Sequence, residues 1–168
     1  MLDISRLQDQ TIPEEKKTVF DLCEAAGQVL VSFEQKITQK QLDVQVDMPD
    51  EATYTLADAD SITQVIYNLD NAVKFCQQGG TLGLKIQPED KKIFVSVSNT
   101  GLTIPENELS RIFDRFHKTD KSRSIDRDGV GLGLYIVKTI ICSHGEDISV
   151  TSRDGLTVFT FSLPVVVS

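Results

Sequence analysis

Apolar residues recur along the chain with two different spacings, which predict a mixture of helices and strands. Spacings of three and four residues predict one helix over 22–36 and a second that follows Asp58, its predicted N-cap, and ends near 77–80. A third helix is predicted to run from the glycines of 129–133 to about Ser143. The apolar stripes of the first two helices are Ala26, Val29, Leu30 and Phe33, and Ile62, Val65, Ile66, Leu69, Ala72 and Val73.

Alternation of apolar and polar residues predicts six or seven strands around these helices. TLGLKIQ and KIFVSVSN form a predicted hairpin around PEDK, and DISVTS and LTVFTFSL form another around Asp154-Gly155. Shorter strands are predicted at KKTVFDL, LDVQVDM and ATYTL, a short helix after Pro105, and a mobile polar loop over 118–128. Because strands and helices do not strictly alternate, we expect an α/β two-layer sandwich. It would have one mixed β-sheet with three main helices on one face and the other face partly exposed.

Composition narrows the class of protein without identifying it. The chain has 168 residues, enough for one domain with a sizeable core. Its 17 lysines and arginines against 25 aspartates and glutamates give a net charge of -8, which argues against a nucleic-acid partner. Cys23, Cys76 and Cys142 lack the spacing of metal ligands and are expected to be free thiols. Without an apolar run of about 18 residues or a signal peptide, the chain is expected to be soluble.

Three glycines alternate with apolar residues in DGVGLGLYIV, where the third predicted helix begins. Gly129, Gly131 and Gly133 would let a ligand approach the backbone where the N–H groups at the start of a helix have no partner. This arrangement is typical of a phosphate-binding site. Alone, the triplet fits a bulge or the close packing of two elements equally well.

The second predicted helix carries polar residues on one side, away from its apolar stripe. On a continuous helix, Gln64, Asn68, Asn71 and Phe75 fall within about a 60° arc. Asparagine is disfavoured inside helices, so this arc suggests a ligand-binding face. Amide oxygens suit Mg²⁺, and the ammonium of Lys74 suits a phosphate. A solvated polar surface is the alternative.

The strand in VSVSNTGLTIP ends on a polar residue that shares a face with apolar ones. By the period of two, Ile93, Val95, Val97 and Asn99 lie on one face. A buried amide at Asn99 needs a partner, and the edge of an adenine base offers both a donor and an acceptor. Gly101 permits a sharp turn beside it. A plain Asn-Thr-Gly turn is the alternative.

The segment IFDRFHKTDKSRS combines aromatic and positively charged residues. Phe113 and Phe116 are three residues apart at a predicted helix end, which suits apolar anchoring. The charges that follow, on Lys118, Lys121 and Arg123, suit phosphate binding, although a solvated loop has the same composition.

Taken in order, these segments resemble the catalytic ATP-binding domain of sensor histidine kinases, a branch of the Bergerat-fold ATPases. NLDNAVKF is similar to the N box of that family, NTGLTI to the first glycine box, IFDRFHKTDKSRS to the F box and GVGLGLYIVK to the second glycine box. LDISRL is similar to the exit of the family's dimerisation hairpin. The resemblance therefore divides the chain into the tail of an upstream helical hairpin at 1–12 and a single ATP-binding catalytic domain at 13–168.

The resemblance implies a role for each matching residue. Asn71 corresponds to the catalytic, Mg²⁺-binding asparagine, Lys74 to a catalytic phosphate contact and Phe75 to the aromatic residue at the adenine. Asn99 stands where the family has an adenine-reading aspartate, and Lys118 matches a basic residue near the phosphates. The other cofactor-binding positions that it implies are Asn68, Gly101, Ile104, Phe113, Gly129, Gly131, Leu132 and Gly133.

Two of these boxes depart from the family pattern. The first glycine box, usually D-x-G-x-G, has Asn99 and Thr103 in place of its aspartate and its last glycine. It loses a charge and some backbone freedom, so we expect nucleotide binding to survive in weakened form. The N-box asparagines, usually four residues apart, are here Asn68 and Asn71. Part of this helix is therefore expected to be rotated by about 100° relative to the family.

The resemblance also implies cofactors and partners. The family's phosphoacceptor histidine lies upstream on a dimerisation domain, and neither His117 nor His144 has its surroundings. The chain is thus expected to bind ATP with Mg²⁺ and to phosphorylate its own dimerisation domain, which serves a response regulator. We expect a monomeric fragment without nucleic-acid or direct membrane contact, from the cytoplasmic part of a homodimeric, membrane-anchored bacterial sensor.

Two other functions fit parts of the pattern. The altered boxes suggest a degenerate module that binds nucleotide weakly and has little or no kinase activity. ATP hydrolysis, as in gyrase and chaperone relatives, needs a glutamate in the N box, where this chain has Gln64 and Asn68. An amide cannot take up a proton from water, so hydrolysis is disfavoured.

Overall fold

A computed structural model describes residues 11–114 and 133–166 of the chain. The predicted hairpin exit before residue 11 and the predicted loop over 118–128 lie outside these ranges. After a single 3₁₀ turn at Glu14–Lys16, the strands are β1 Thr18–Asp21, β2 Asp43–Asp47, β3 Tyr54–Ala57, β4 Thr81–Glu89, β5 Lys92–Thr100, β6 Ile148–Arg153 and β7 Leu156–Pro164. The helices are α1 Leu22–Ser32, α2 Glu34–Lys40, α3 Ala59–Ile66, α4 Leu69–Phe75, α5 Glu106–Leu109 and α6 Gly133–Ser143.

Five of the strands form the predicted mixed sheet, in the order β2-β4-β5-β7-β6. The β2–β4 pair is parallel and the other neighbours are antiparallel. Both predicted hairpins are present, and their turns use left-handed backbone at Asp90, Asp154 and Gly155. The fold class is therefore confirmed.

The strands β1 and β3 do not join this sheet, contrary to the expectation of a single one. They form a separate antiparallel ribbon that touches β7 through one bridge between Thr55 and Val165. The Thr55 hydroxyl also donates to the Pro164 carbonyl at 2.7 Å. Asp21 ends β1, and its carboxylate accepts from the N–H groups of Cys23 and Thr53, so the ribbon is attached to the start of α1.

The helices pack on one face of the sheet and enclose the core. Its most deeply buried members come from both layers and include Leu22, Ile62, Ile93, Ile140 and Leu163. On the opposite face Lys85 and Phe94 are exposed, as the alternation of the strands predicts. No helix within the described ranges is long and apolar enough to cross a membrane. All three cysteines are free.

The first predicted helix is in fact two helices, divided at Phe33. The Phe33 backbone leaves the helical region (φ -98°, ψ 5°), and its N–H bonds back to the Leu30 carbonyl at 3.1 Å. The break buries the Phe33 ring, which packs edge-on against Tyr67 with centroids 6.0 Å apart. The second piece, α2, extends beyond the predicted end to Lys40 and stops at Gln41 in left-handed backbone.

The second predicted helix is also divided, between α3 and α4. The N–H of Asn68 bonds to the Val65 carbonyl and that of Asp70 to the Tyr67 carbonyl, both at 3.0 Å. These bonds span three residues instead of four, which tightens the turn. The prediction of one continuous helix is therefore wrong, and the arc from Gln64 to Phe75, which assumed it, no longer follows. The tight turn stands where the sequence has one residue fewer than the family pattern.

Asp58 occupies the N-cap position of α3, as predicted. Its carboxylate does not bond to a backbone N–H of the helix; it accepts a hydrogen bond from the Ser61 hydroxyl at 2.8 Å. The Asp58 N–H donates to Nε2 of His144, which follows the end of α6, at 3.1 Å. The start of α3 and the end of α6 are thereby joined.

Candidate functional site

The helix-covered face of the sheet ends in a row of polar residues. Asn99 on β5, Thr157 on β7 and Ser152 on β6 are neighbours in register. Their exposed fractions are 4%, 4% and 7%. Each continues an apolar row of its own strand, and the two hydroxyls contact each other at 2.7 Å. The helix-covered face of the sheet, which is otherwise apolar, therefore has buried polar residues at one end.

The amide of Asn99 is the unusual member of this row. The residue is buried, as the period of two predicts, and within the described ranges its side chain makes no hydrogen bond. The buried side-chain oxygen that lacks a partner there is the Tyr135 hydroxyl, so the Asn99 amide keeps contact with the open side of the site. An amide can donate and accept at once, so this position suits a ligand with both functions.

The loop after β5 is fixed to the turn between β6 and β7. The Gly101 N–H donates to the Gly155 carbonyl at 2.8 Å, and the Gly155 N–H donates to the Thr103 hydroxyl at 2.7 Å. The Ile104 N–H donates to the Ser152 hydroxyl at 2.8 Å. Gly155 has φ 81°, and a Cβ there would lie 3.2 Å from the Gly101 carbonyl, so glycine is required at this position.

Thr103 does not carry the backbone strain that its replacement of glycine suggested. It is not one of the residues with positive φ in the described ranges. Its hydroxyl instead supplies the acceptor for Gly155, which a glycine at this position could not. The departure from the family pattern thus adds a contact that holds the loop beside Asn99.

The end of α4 meets the end of β5 on the same side of the sheet. The Gln77 N–H bonds to the Thr100 carbonyl and the Thr81 N–H to the Thr100 hydroxyl, each at 2.9 Å. A Cβ at Gly80 would lie 2.5 Å from that hydroxyl, so the close approach depends on glycine. These contacts bring the last turn of α4, with Lys74 and Phe75, toward the strand end that carries Asn99.

Three charged side chains lie together on α2 and α4. Asp70 pairs with Lys36 at 2.9 Å and with Lys74 at 3.2 Å. Burial alone would raise the pKa of the Asp70 carboxyl, but the hydrogen bonds from Lys36 and Lys74 outweigh it and hold that pKa below its ordinary value. The ammonium groups of Lys36 and Lys74 thus lie together beside α4. The Asn71 side chain lies outside the described part of the structure.

Phe113 lies at the other side of the site. Its ring packs edge-on against Phe159 of β7 with centroids 6.1 Å apart, and the Lys138 ammonium of α6 lies 5.5 Å from its centre. This matches the anchoring role predicted for it. Gly133 is the first residue of α6, as predicted. The remaining candidates, Lys118, Gly129, Gly131 and Leu132, lie outside the described residues.

Sequence reasoning missed Ser152 and Thr157. Both were detectable by the signal that identified Asn99, a polar residue in register with an apolar row. Ile148 and Val150 precede Ser152 on its face, and Phe159 and Phe161 follow Thr157 on its face.

Comparisons with known proteins agree with this geometry. A sequence model of the family described as histidine kinase-, DNA gyrase B-, and HSP90-like ATPase matches residues 57–167. The sensor histidine kinase WalK of Bacillus subtilis (strain 168) is 38% identical over 122 residues, which are 70% of this chain and 20% of WalK. The chain thus spans a fifth of the length of that curated relative.

The solved structures of similar shape include histidine kinases. The catalytic domain of histidine kinase ThkA aligns with a TM-score of 0.79 and 33% identity, covering 88% of this chain and 95% of that domain. ThkA in complex with the response regulator protein TrrA aligns with a TM-score of 0.76 and 32% identity, over 89% of this chain and 42% of that one. Full-length ShkA in complex with AMPPNP aligns with a TM-score of 0.80 and 25% identity, over 98% of this chain and 34% of ShkA.

Proposed function

Because this chain belongs to the histidine kinase-, DNA gyrase B- and HSP90-like ATPases, as a catalytic ATP-binding domain of the sensor histidine kinase type, we propose that it binds Mg²⁺-ATP beside α4 and presents the γ-phosphate to a histidine of another domain. The domain type predicted from the sequence is confirmed. The sites on this chain and the reaction of the whole protein are our proposal.

The observation that carries the proposal is Asn99, a buried residue whose amide makes no hydrogen bond within the described ranges. Adenine offers an exocyclic amino group and a ring nitrogen on one edge, which an amide can bond through its oxygen and its NH₂ group. Phe75 would cover the base from α4, while Gly101 and Ile104 line the loop that Thr103 and Ser152 hold. Asn99 lacks the charge of an aspartate but keeps the acceptor that the amino group needs.

The phosphates would extend from the base toward α4 and the start of α6. The ammonium groups of Lys74 and Lys36 can attract an anion there. The first N–H groups of α6, which begins at Gly133, have no partner within their own helix and suit phosphate oxygens. We further propose contacts from Lys118, Gly129, Gly131 and Leu132, with Phe113 anchoring this side of the site.

We assign Mg²⁺ to Asn71, with Asn68 as a second candidate ligand. Within the described ranges no group of three His, Cys, Asp or Glu residues could hold a metal. An amide oxygen that shares the ion with phosphate oxygens therefore fits better than a carboxylate cage. When bound, Mg²⁺ neutralises charge on the phosphates. The chain's own residues bind and orient the nucleotide for in-line transfer.

The partners we propose follow from the relatives. ThkA was solved with the response regulator protein TrrA, so a response regulator is the expected recipient of the phosphoryl group. The direct acceptor would be a histidine on the protein's own dimerisation domain, for which the segment 1–12 would be the connection. We propose that the intact protein is a homodimer whose catalytic part lies in the cytoplasm of a membrane-anchored sensor.

Calorimetric titration of this chain with ATP and Mg²⁺ tests the proposal. We expect saturable binding that weakens when Mg²⁺ is chelated. No heat of binding at millimolar nucleotide would overturn the kinase assignment and favour the degenerate module. If the chain binds, joining it to its upstream dimerisation hairpin should yield an acid-labile phosphohistidine.

The variant Asn71→Ala tests the metal assignment. It should remove the Mg²⁺-dependent part of the affinity and leave the affinity for adenosine unchanged. The same change at Asn68 is the matched comparison. A larger loss at Asn68 than at Asn71 would transfer the metal role to Asn68.

A further inference from the structure

The C-terminal end of α4 is held by a lysine from a different helix. The Lys40 ammonium, at the end of α2, donates to the carbonyl oxygens of Val73, Lys74 and Cys76 at 2.8, 2.7 and 2.7 Å. The last carbonyls of a helix lack partners within it and carry partial negative charge. An ammonium has three N–H donors, which matches three acceptors. Lys40 thus caps α4 from outside.

The backbone around Lys40 is tied to the same region. The Gly79 N–H donates to the Lys40 carbonyl at 2.9 Å, and the Asp43 N–H donates to the Gly80 carbonyl at 2.8 Å. The Gln78 amide contacts that of Gln41 at 3.4 Å. The loop that leaves α4 therefore lies against the end of α2, and backbone hydrogen bonds hold the two together.

Contacts continue along the whole length of α2. Lys36 pairs with Asp70, 34 residues later, and Lys40 binds the Lys74 carbonyl at the same offset. Phe33 packs against Tyr67, again 34 residues later. The constant offset means that α2 runs beside α4 in the same direction, from the broken turn at Tyr67 to the last carbonyls.

This support matters because α4 is not continuous with α3. The tight turn at Tyr67 and Asn68 interrupts the helix, so α3 does not fix the rotation of α4 by regular hydrogen bonds. The pair between Lys36 and Asp70 is half exposed at the lysine and contributes little on its own. The buried side of α4, at Ala72 and Val73, sets its distance from the sheet. Lys40 acts at the end that carries Lys74 and Phe75.

We propose that Lys40 is a positioning residue of the nucleotide site, which fixes the last turn of α4 and so the placement of Lys74 and Phe75. The inference rests on the proposed nucleotide binding at α4. Lys40 contacts carbonyls and does not itself need to reach the nucleotide. Its role would be to compensate for the interrupted helix.

The test compares Lys40→Met with the wild-type chain by calorimetry. Methionine keeps the length of the side chain and removes the charge and the donors. We expect the affinity for Mg²⁺-ATP to fall about tenfold, since a small displacement of binding groups is costly. The affinity for adenosine, which depends on Asn99 as well as Phe75 and includes no phosphate contact from Lys74, should fall by a smaller factor. Lys40→Gln, whose shorter amide cannot bond to all three carbonyls, serves if the methionine variant does not fold.

Lys92→Met is the matched control. Lys92 pairs with the nearly buried Glu146 at 2.9 Å, and its removal should destabilise the fold as the loss of Lys40 does. Lys92 lies at the opposite end of β5 from Asn99, more than about 20 Å away along the strand. At temperatures below the melting temperature of the Lys92→Met variant, the nucleotide affinity of that variant should match that of the wild type.

Three outcomes separate the possibilities. If the wild type binds Mg²⁺-ATP and both Lys40 variants bind equally well, the positioning role is wrong and Lys40 only stabilises the fold. If the Lys40 variants lose Mg²⁺-ATP and adenosine affinity in equal proportion, the positioning of the phosphate end is likewise wrong. If the wild type does not bind at all, the proposed function fails and this inference with it.

Discussion

The hydroxyl of Thr103 accepts a hydrogen bond from the backbone N–H of Gly155 at 2.7 Å. It joins the loop after β5 to the turn between β6 and β7 at the edge of the proposed adenine site. The resemblance to the kinase family leads one to expect glycine at Thr103. The hydroxyl therefore gives this chain a loop attachment that the family pattern does not include.

The first prediction concerns the substitution Thr103→Gly, which restores the family residue. It should destabilise the chain by about 1 kcal/mol or more, because the hydrogen bond is lost and glycine gains freedom when unfolded. Urea unfolding measures the change. Thr103→Ser keeps the hydroxyl and should retain most of the stability. A glycine variant as stable as the wild type would show that the Gly155 contact contributes nothing.

The second prediction separates stability from binding at Asn99. The Asn99 side chain makes no hydrogen bond within the described ranges and the residue is buried, so Asn99→Leu loses no bond and should leave the empty protein about as stable as the wild type. Its affinity for Mg²⁺-ATP should fall at least about tenfold, since the base loses both hydrogen bonds. Thermal unfolding and calorimetry measure the two effects.

Thr157→Val, on the neighbouring strand, is the comparison for Asn99. It removes a hydroxyl that contacts Ser152 at 2.7 Å, so it should lower the stability. If Asn99→Leu destabilises the protein as much as Thr157→Val does, then the Asn99 amide has a partner in the empty protein and is not reserved for a ligand.

The third prediction is a pH dependence of Asp70. Its folded pKa lies below its ordinary value, despite burial, because Lys36 and Lys74 bond to the ionised form. The contribution of the ionised Asp70 carboxylate to the stability of the fold is therefore complete at pH values above the unfolded pKa of about 3.9. It is lost as the pH falls through the folded pKa. Asp70→Asn should cost less than about 1 kcal/mol at pH 7, and the difference from wild type should shrink near pH 3.

Urea unfolding at the two pH values measures this difference. Asp47→Asn, an exposed change at the edge strand β2, is the control and should match the wild type at both. A cost for Asp70→Asn that is the same at pH 7 and at pH 3 would contradict the ion-pair explanation.

The fourth prediction concerns the buried His144. Its Nδ1 lies 2.8 Å from the Ile140 carbonyl, which only accepts, and its Nε2 accepts from the Asp58 N–H. His144→Ala should therefore cost about 1–3 kcal/mol, because the Asp58 N–H loses its partner. Cys142→Ala, an exposed change at the same helix end, should stay within about 0.5 kcal/mol. Equal stability of the two variants would exclude the proposed link between α3 and α6.

The strands were predictable because each follows a local rule. The hairpins at Asp90 and at Asp154-Gly155 combine alternating side chains with residues that accept left-handed backbone. The helix breaks were not predictable, since the apolar stripe of each predicted helix runs through its break without interruption. At the two breaks the rings of Phe33 and Tyr67, which are distant in the sequence, pack against each other.

Some features of the candidate site were likewise predictable from the sequence and others were not. Asn99 was predictable from the period of its strand, and its burial follows from that period. Lys40 was not, because no spacing tells which carbonyls a lysine on one helix will meet on another. The attachment of Thr103 to Gly155 joins two segments whose proximity depends on the pairing of β5 with β7.

The position of α1 limits how the chain can be shortened for expression. The family match begins at residue 57, yet Leu22, Ala26 and Val29 lie in the same core as Ile140. A fragment trimmed to the matched residues would expose that core and invite aggregation and proteolysis. Because the Ile12 N–H also bonds to the carbonyl of Ser143, a fragment that begins upstream of Ile12 keeps this contact as well.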